Sequence, residues 1–301
     1  MSLIRIDHLT KDYGRGRGIF DIHLEVEEGE SFGFVGTNGA GKTTTIRHLM
    51  GFLNPHKGRC TIKGLDCWAR SAEVKKHVGY VPGEICFPDA PTGYAFLERH
   101  ATILGCTNTA RRDYIIKKLQ LDASANLKRM SKGMKQKTAL VAALMHDPSI
   151  LIMDEPSTGL DPLMRVSFLE LLEEERRRGK TIFMSSHMFD ELEATCDRVA
   201  MIKDGAIVDV ASTAAIRHYK NKTYKIEFLD AEGYSRFLAE PFDIGERRDI
   251  HNQVLVNVND ADINRLVRIL AGYRVKFFTE IKYSLEQYFN RIYQKEPAGV
   301  Q

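Results

Sequence analysis

The sequence predicts an α/β protein: a large domain on a mostly parallel sheet, followed by a small α+β domain of ferredoxin-like order. Two short apolar runs, Ile150-Leu151-Ile152-Met153 and Thr181-Ile182-Phe183-Met184, flank a helical stretch from Pro162 to Arg178. Buried strands that alternate with helices imply a parallel sheet covered on both faces. A third run, Ser31-Phe32-Gly33-Phe34-Val35, passes through a glycine-rich loop into a helical pattern from Lys42 to Met50. Beyond about Tyr219 the pattern changes to strand, helix, strand, strand, helix, strand, the order of a ferredoxin-like unit.

Along the chain, residues 1–7 alternate like a strand, and Gly14-Arg15-Gly16-Arg17-Gly18 breaks the first strand pairing with a basic turn. Helical spacing covers Thr92 to Leu119, and a second helix runs from Met134 to His146, stopped by Pro148. In the last part Thr223 to Phe228 and Gln253 to Val258 alternate as strands, with a hairpin partner for the second near Phe242 to Arg248. Ala231 to Leu238 and Ala261 to Ala271 are helical, and Val275 to Glu280 closes as a strand. These patterns place a first domain at 1–218, with a helical subdomain at about 84–146, a second domain at 219–295 and a tail at 296–301.

Bulk properties exclude several functions. Hydrophobic residues make up 43% and charged residues 28% of 301 residues, so a packed core is expected. Lysine and arginine total 43 against 40 acids, too balanced for nucleic acid to be the main ligand. No apolar run approaches the roughly 18 residues of a membrane-spanning helix, so no direct membrane insertion is expected. The first residues lack the basic start and apolar stretch of a secretory signal, which implies a cytoplasmic location. Cys60, Cys67, Cys86, Cys106 and Cys196 lack the close pairing of zinc sites and are read as reduced, mostly packed thiols.

The strongest chemical pattern is Gly36-Thr37-Asn38-Gly39-Ala40-Gly41-Lys42-Thr43 between a predicted strand and a predicted helix. Its glycines let successive N–H groups curl around phosphate oxygens at a helix N-terminus. Lys42 neutralises the β- and γ-oxygens, Thr43 offers a hydroxyl to Mg²⁺, and Thr44 completes the nucleotide-binding set. A buried strand ending in Asp154-Glu155-Pro156 brings the second pattern. A carboxylate at the end of a strand beside a phosphate loop suits Mg²⁺, which assigns Asp154 to the metal and Glu155 to the attacking water.

With Ser157-Thr158-Gly159-Leu160-Asp161 after the two acids and Ser185-Ser186-His187 after the next strand, the first domain resembles an ABC (ATP-binding cassette) ATPase, a P-loop NTPase with a helical subdomain. The resemblance runs from about Leu3 to Val210. It implies that His187 contacts the γ-phosphate and that Asp161 lies at a dimer interface. Met130-Ser131-Lys132-Gly133-Met134 resembles the family's Leu-Ser-Gly-Gly-Gln signature in Ser131 and Gly133 and departs from it at Lys132 and Met134. The resemblance implies that Ser131 and Gly133 meet the nucleotide of the opposite protomer. Tyr13 resembles the aromatic residue that stacks on adenine, although surface packing explains an isolated tyrosine equally well. The basic run Lys128, Arg129, Lys132, Lys135 and Lys137 either assists phosphate capture or forms a solvated face.

Where the family carries a glutamine, after Gly79-Tyr80-Val81-Pro82, this chain has Gly83 followed by Glu84. Either Glu84 reaches the metal instead, or it faces solvent. The segment with Phe87, Tyr94, Phe96 and Leu97 is either part of a groove for a helix of the membrane partner or plain core. The ending Tyr283-Ser284-Leu285-Glu286-Gln287-Tyr288-Phe289 resembles single-cassette subunits of bacterial exporters for drugs and peptide antibiotics, and amphipathic packing accounts for it equally. The resemblance implies an ATPase that uses ATP and Mg²⁺ and works as a head-to-tail homodimer. Its partner would be a separate integral membrane permease chain, with the ATPase peripheral on the inner face of the cell membrane. Two alternatives stay open: a nucleotide-sensing switch with weak hydrolysis, suggested by Gly83 and the altered signature, and a soluble ABC ATPase not linked to transport.

Overall fold

The computed structural model describes residues 2–217, 221–281 and 283–294. It divides into two compact units, Met1–Ser212 and Thr213–Gln301. In the first unit the elements are β1 (Ser2–Asp12), β2 (Gly18–Glu27), β3 (Ser31–Val35), α1 (Lys42–Leu49), β4 (Lys57–Ile62), β5 (Leu65–Asp66), α2 (Ser71–Lys75) and β6 (Val78–Val81). There follow α3 (Gly93–Leu104), α4 (Ala110–Lys118), α5 (Lys132–Leu144), β7 (Ile150–Asp154), α6 (Pro162–Arg177), β8 (Thr181–Ser185), α7 (Phe189–Thr195), β9 (Arg198–Lys203) and β10 (Ala206–Ser212).

Two sheets share this unit. One is antiparallel in the order β2-β1-β4-β5, and the other runs β10-β9-β3-β8-β7-β6. In the second sheet all pairs from β9 to β6 are parallel, and β10 adds an antiparallel edge. Every residue of β3, β7 and β8 is buried, which explains why these strands read as unbroken apolar runs. Phe32 of β3 stacks on Phe183 of β8 with centroids 5.8 Å apart. Helix α1 touches β2 and β4 of one sheet and β7 of the other, and α7 lies against β3.

Between β6 and β7 the chain builds the expected helical subdomain, in which α3 and α4 both pack on α5. The helical spacing from Thr92 to Leu119 resolves into two helices because Gly105, at φ +67°, turns the chain at the end of α3. Arg111 and Lys118 of α4 pair with Glu175 and Glu174 of α6 and tie the subdomain to the parallel-sheet core. The cysteines are free thiols, and burial pushes Cys67 and Cys196 up to about 12, as packed thiols require.

The second unit comprises α8 (Thr213–Arg217), β11 (Asn221–Phe228), α9 (Ala231–Phe237), β12 (Asp243–Arg248), β13 (Gln253–Asn259), α10 (Ile263–Leu270), β14 (Val275–Ile281) and α11 (Leu285–Gln294). Its sheet is antiparallel throughout in the order β12-β13-β11-β14, the ferredoxin-like arrangement. Tyr224, Ile226 and Phe228 of β11 and Val254, Val256 and Val258 of β13 bury one face against Phe237, Leu266 and Leu270. The division at Ser212 falls a few residues before the expected boundary at 218, because α8 packs on α11 rather than continuing the first unit. The expected tail at 296–301 lies outside the described residues, as do residues 218–220 of the boundary itself.

Candidate active site

The loop from Gly36 to Gly41 joins β3 to α1, and its shape depends on missing side chains. A Cβ on Gly36 would lie 2.4 Å from the Ile202 carbonyl oxygen, and one on Gly41 would lie 2.6 Å from Ile19 Cγ2. Gly41 also takes φ +114° at the start of α1, a conformation that favours glycine. Lys42 is almost wholly buried and curls back, so that its Nζ donates to Gly36 O at 2.6 Å. Ala40 faces inward: its N–H donates to Thr37 O at 3.1 Å and its carbonyl accepts from Gly205 N at 3.0 Å.

The acids stand at the end of β7, whose register sets Asp154 beside Ser185 of β8. Asp154 is fully buried; Oδ1 accepts from Ser185 Oγ at 2.6 Å, and Oδ2 has no hydrogen-bond partner. A buried carboxylate oxygen without a partner is costly, and a hard cation is one group that satisfies it. With the Thr43 hydroxyl, which lines the adjoining cleft, this donor set fits Mg²⁺.

Glu155 adopts a left-handed φ of +50°, rare for a residue with a side chain, and its N–H is held by Ser185 O and Oγ, both at 3.1 Å. That turn aims the carboxylate into the cleft. Oε1 lies 3.5 Å from Lys42 Nζ and Oε2 lies 2.5 Å from His187 Nδ1. The loop carrying His187 is braced from behind by buried Glu191, which accepts from Ser186 Oγ at 3.1 Å and Ser157 Oγ at 2.8 Å.

One cleft of about 850 Å³ collects Tyr13, Gly36, Thr37, Asn38, Gly39 and Gly41 with Lys42, Thr43, Thr44, Glu155 and His187. Gly83 also lines it, and a Cβ there would lie 2.9 Å from Asp154 Oδ2, so a side chain at this position would crowd the buried carboxylate. Glu84 is exposed and is not among the cleft-lining residues. Arg17, Thr158 and Asp204 line the cleft without having been singled out from the sequence. Arg17 stands in the basic glycine turn and Thr158 in the pattern from Ser157 to Asp161, whereas Asp204 had no local signal. Ser131, Gly133 and Asp161 lie outside the cleft. Ser131 caps α5 by accepting from Met134 N at 3.2 Å, Asp161 caps α6 by accepting from Met164 N at 2.9 Å, and Gly133 sits against the Gly159 carbonyl.

A family model described as "ABC transporter" matches residues 19–158. Over 285 residues the chain is 30% identical to YhcH of Bacillus subtilis (strain 168), an uncharacterized ABC transporter ATP-binding protein, covering 93% of this chain and 92% of that one. The chain belongs to the ABC transporter ATP-binding proteins. This ABC protein is also 29% identical over 299 residues to the bacitracin transport ATP-binding protein BcrA of Bacillus licheniformis, covering 97% of both. A solved ATP-binding subunit of an ABC transporter matches with a TM-score of 0.65 and 28% identity, covering 72% of this chain and 92% of that chain. The ABC cassette is an ATPase, and the cleft gathers its phosphate loop, Glu155 and His187. Among the described residues no helix is long and apolar enough to cross a membrane.

Proposed function

We propose that this ABC ATPase is the motor subunit of a membrane exporter. It would act as a head-to-tail homodimer on a separate permease chain, peripheral on the inner face of the cell membrane. The observation that carries the chemistry is the Glu155 carboxylate held between Lys42 and His187 in the cleft. Export is supported by the alignment along 97% of the bacitracin transport protein. Dimerisation is supported by Ser131, Gly133 and Asp161, which stand outside their own cleft and are free to face a partner's nucleotide.

In this reading Tyr13 stacks on adenine, while Lys42 and the N–H groups of the phosphate loop bind the β- and γ-phosphates. Thr43 and Asp154 would hold Mg²⁺, which when bound neutralises phosphate charge. Glu155 orients the attacking water and accepts its proton. His187, positioned through Nδ1 by Glu155, turns its other ring nitrogen to the γ-phosphate. The cassette of residues 1–212 does this work, and the second unit serves regulation or dimerisation.

The test is to ask whether a reading frame beside that of this chain encodes a polytopic membrane protein, and to co-express the two chains. Recovery of both chains in one membrane complex, with ATPase activity that responds to the permease, is the expected result. If this chain stays in the cytosolic fraction and its turnover is the same with and without the permease, the exporter reading fails.

A further inference from the structure

Two cationic side chains of fixed charge line the nucleotide cleft, Arg17 and Lys42. The Lys42 ammonium is already engaged by Gly36 O at 2.6 Å, Thr37 O at 3.4 Å and Glu155 Oε1 at 3.5 Å. Arg17 has no side-chain hydrogen bond or ion pair among the described residues, although its position is fixed by backbone contacts. Tyr13 N donates to Arg17 O at 2.8 Å, Arg17 N donates to Gly14 O at 3.1 Å, and Gly14 N donates to Asp12 Oδ1 at 2.6 Å. Positive φ angles at Gly14, Arg15, Gly16 and Gly18 give the turn its tight path.

Gly18, the next residue, seats this turn on the phosphate loop. A Cβ on Gly41 would lie 3.5 Å from Gly18 O, and a Cβ on Gly205 would lie 2.5 Å from the same oxygen. Gly205 N in turn donates to Ala40 O at 3.0 Å. The hairpin turn, the β9–β10 turn and the phosphate loop thus meet without intervening side chains. Arg17 is therefore attached one residue from the point where the hairpin touches the loop, and its backbone is hydrogen-bonded to that of Tyr13. A guanidinium fork matches phosphate oxygens in two parallel hydrogen bonds.

We infer that Arg17 is a substrate-binding residue whose guanidinium contacts the phosphate chain of the nucleotide from the hairpin side of the cleft, so that the site selects nucleoside di- and triphosphates over nucleosides. This rests on the cleft being the ATP site. Because the contact is made equally in ground and transition states, it acts on affinity and leaves the chemical step unchanged.

The experiment measures binding of ATP, ADP and adenosine, and steady-state ATPase kinetics, on the full chain with Arg17→Ala, Arg17→Lys, Arg15→Ala and Lys42→Ala. Arg17→Ala should weaken ATP and ADP binding about ten- to hundredfold, the range for one charge-assisted hydrogen-bond pair. It should raise KM with kcat unchanged and leave adenosine binding untouched. Arg17→Lys, which keeps the charge but not the fork, should fall between; Arg15→Ala, outside the cleft, should match wild type. ATP affinity within twofold of wild type in Arg17→Ala overturns the inference, as does an equal loss for ATP and adenosine, which would make Arg17 a base contact. If Lys42→Ala also leaves ATP affinity intact, the assignment of the cleft itself fails and the inference falls with it.

Discussion

Glu155 combines three features that separate a working carboxylate from a structural one: a left-handed backbone, a place in the cleft and two nitrogen neighbours within 3.5 Å, Lys42 Nζ and His187 Nδ1. Replacing it with glutamine keeps the shape and the backbone contacts to Ser185 but removes the proton acceptor. Glu155→Gln is therefore expected to retain ATP binding and to lose about 10²–10⁴-fold in steady-state turnover, the usual contribution of a positioned base. It should also accumulate an ATP-bound dimer, read by size-exclusion chromatography with and without ATP. Wild-type turnover would remove Glu155 from its role. Lys42, Thr43, Asp154, Glu155 and His187 were visible in the sequence because each stands in a contiguous pattern at the end of a strand. Asp204 and Glu191 were not, because an Asp-Gly hairpin turn and an acid in the first turn of a helix look the same wherever they pack.

At the level of elements, the parallel strands were legible for a physical cause: burial on both faces makes β3, β7 and β8 continuous apolar runs. The antiparallel sheet was legible only at its first strand. Bulges interrupt the pairing of β1 with β2 and with β4, and β4 buries only its last residues, so little alternation survives in the sequence. Helix α5 had a readable apolar pattern, but not its tie to the site. Gln136 is buried, and its Nε2 donates to Pro156 O at 2.7 Å, joining the helical subdomain to the segment that follows Glu155. Gln136→Ala leaves that carbonyl unpaired and should cost about 1–3 kcal/mol. For a unit of this size that lowers Tm by roughly 2–4 °C per kcal/mol, measurable by thermal denaturation of the full chain. An unchanged Tm would show that the contact is replaced by water.

Three imidazoles of the first unit extend the argument to the whole molecule. Burial, the first cause in each case, holds His48, His100 and His146 below the ordinary value of 6.5. As pH falls, the unfolded chain therefore binds these protons before the folded chain does. Their contribution to stability is complete above about pH 6.5 and is lost as the pH drops through that value towards the folded pKa values. Exposed His8, raised by its hydrogen bond to Asp21, acts in the opposite sense but is fully solvated. Tm should fall between pH 7 and pH 5.5, and His100→Gln should flatten that slope. An equal slope in the variant would assign the loss to other groups.

The two units differ in kind, and that sets what each can do alone. The first encloses its core between two sheets around α1, with the whole cleft inside residues 13–204. The second buries Ile226, Phe228, Val254 and Val256 against its own helices α9 and α10. Each of these clusters is composed of residues of its own unit, and a domain with its own core folds alone. A chain ending at Ser212 should therefore fold and bind ATP with the affinity of the full protein, as read by circular dichroism and nucleotide titration. If the second unit aids dimerisation, the same truncation made in Glu155→Gln should weaken the ATP-bound dimer while leaving ATP affinity per protomer unchanged. A truncated chain that is insoluble or blind to nucleotide would instead mean that the cassette depends on contacts beyond Ser212.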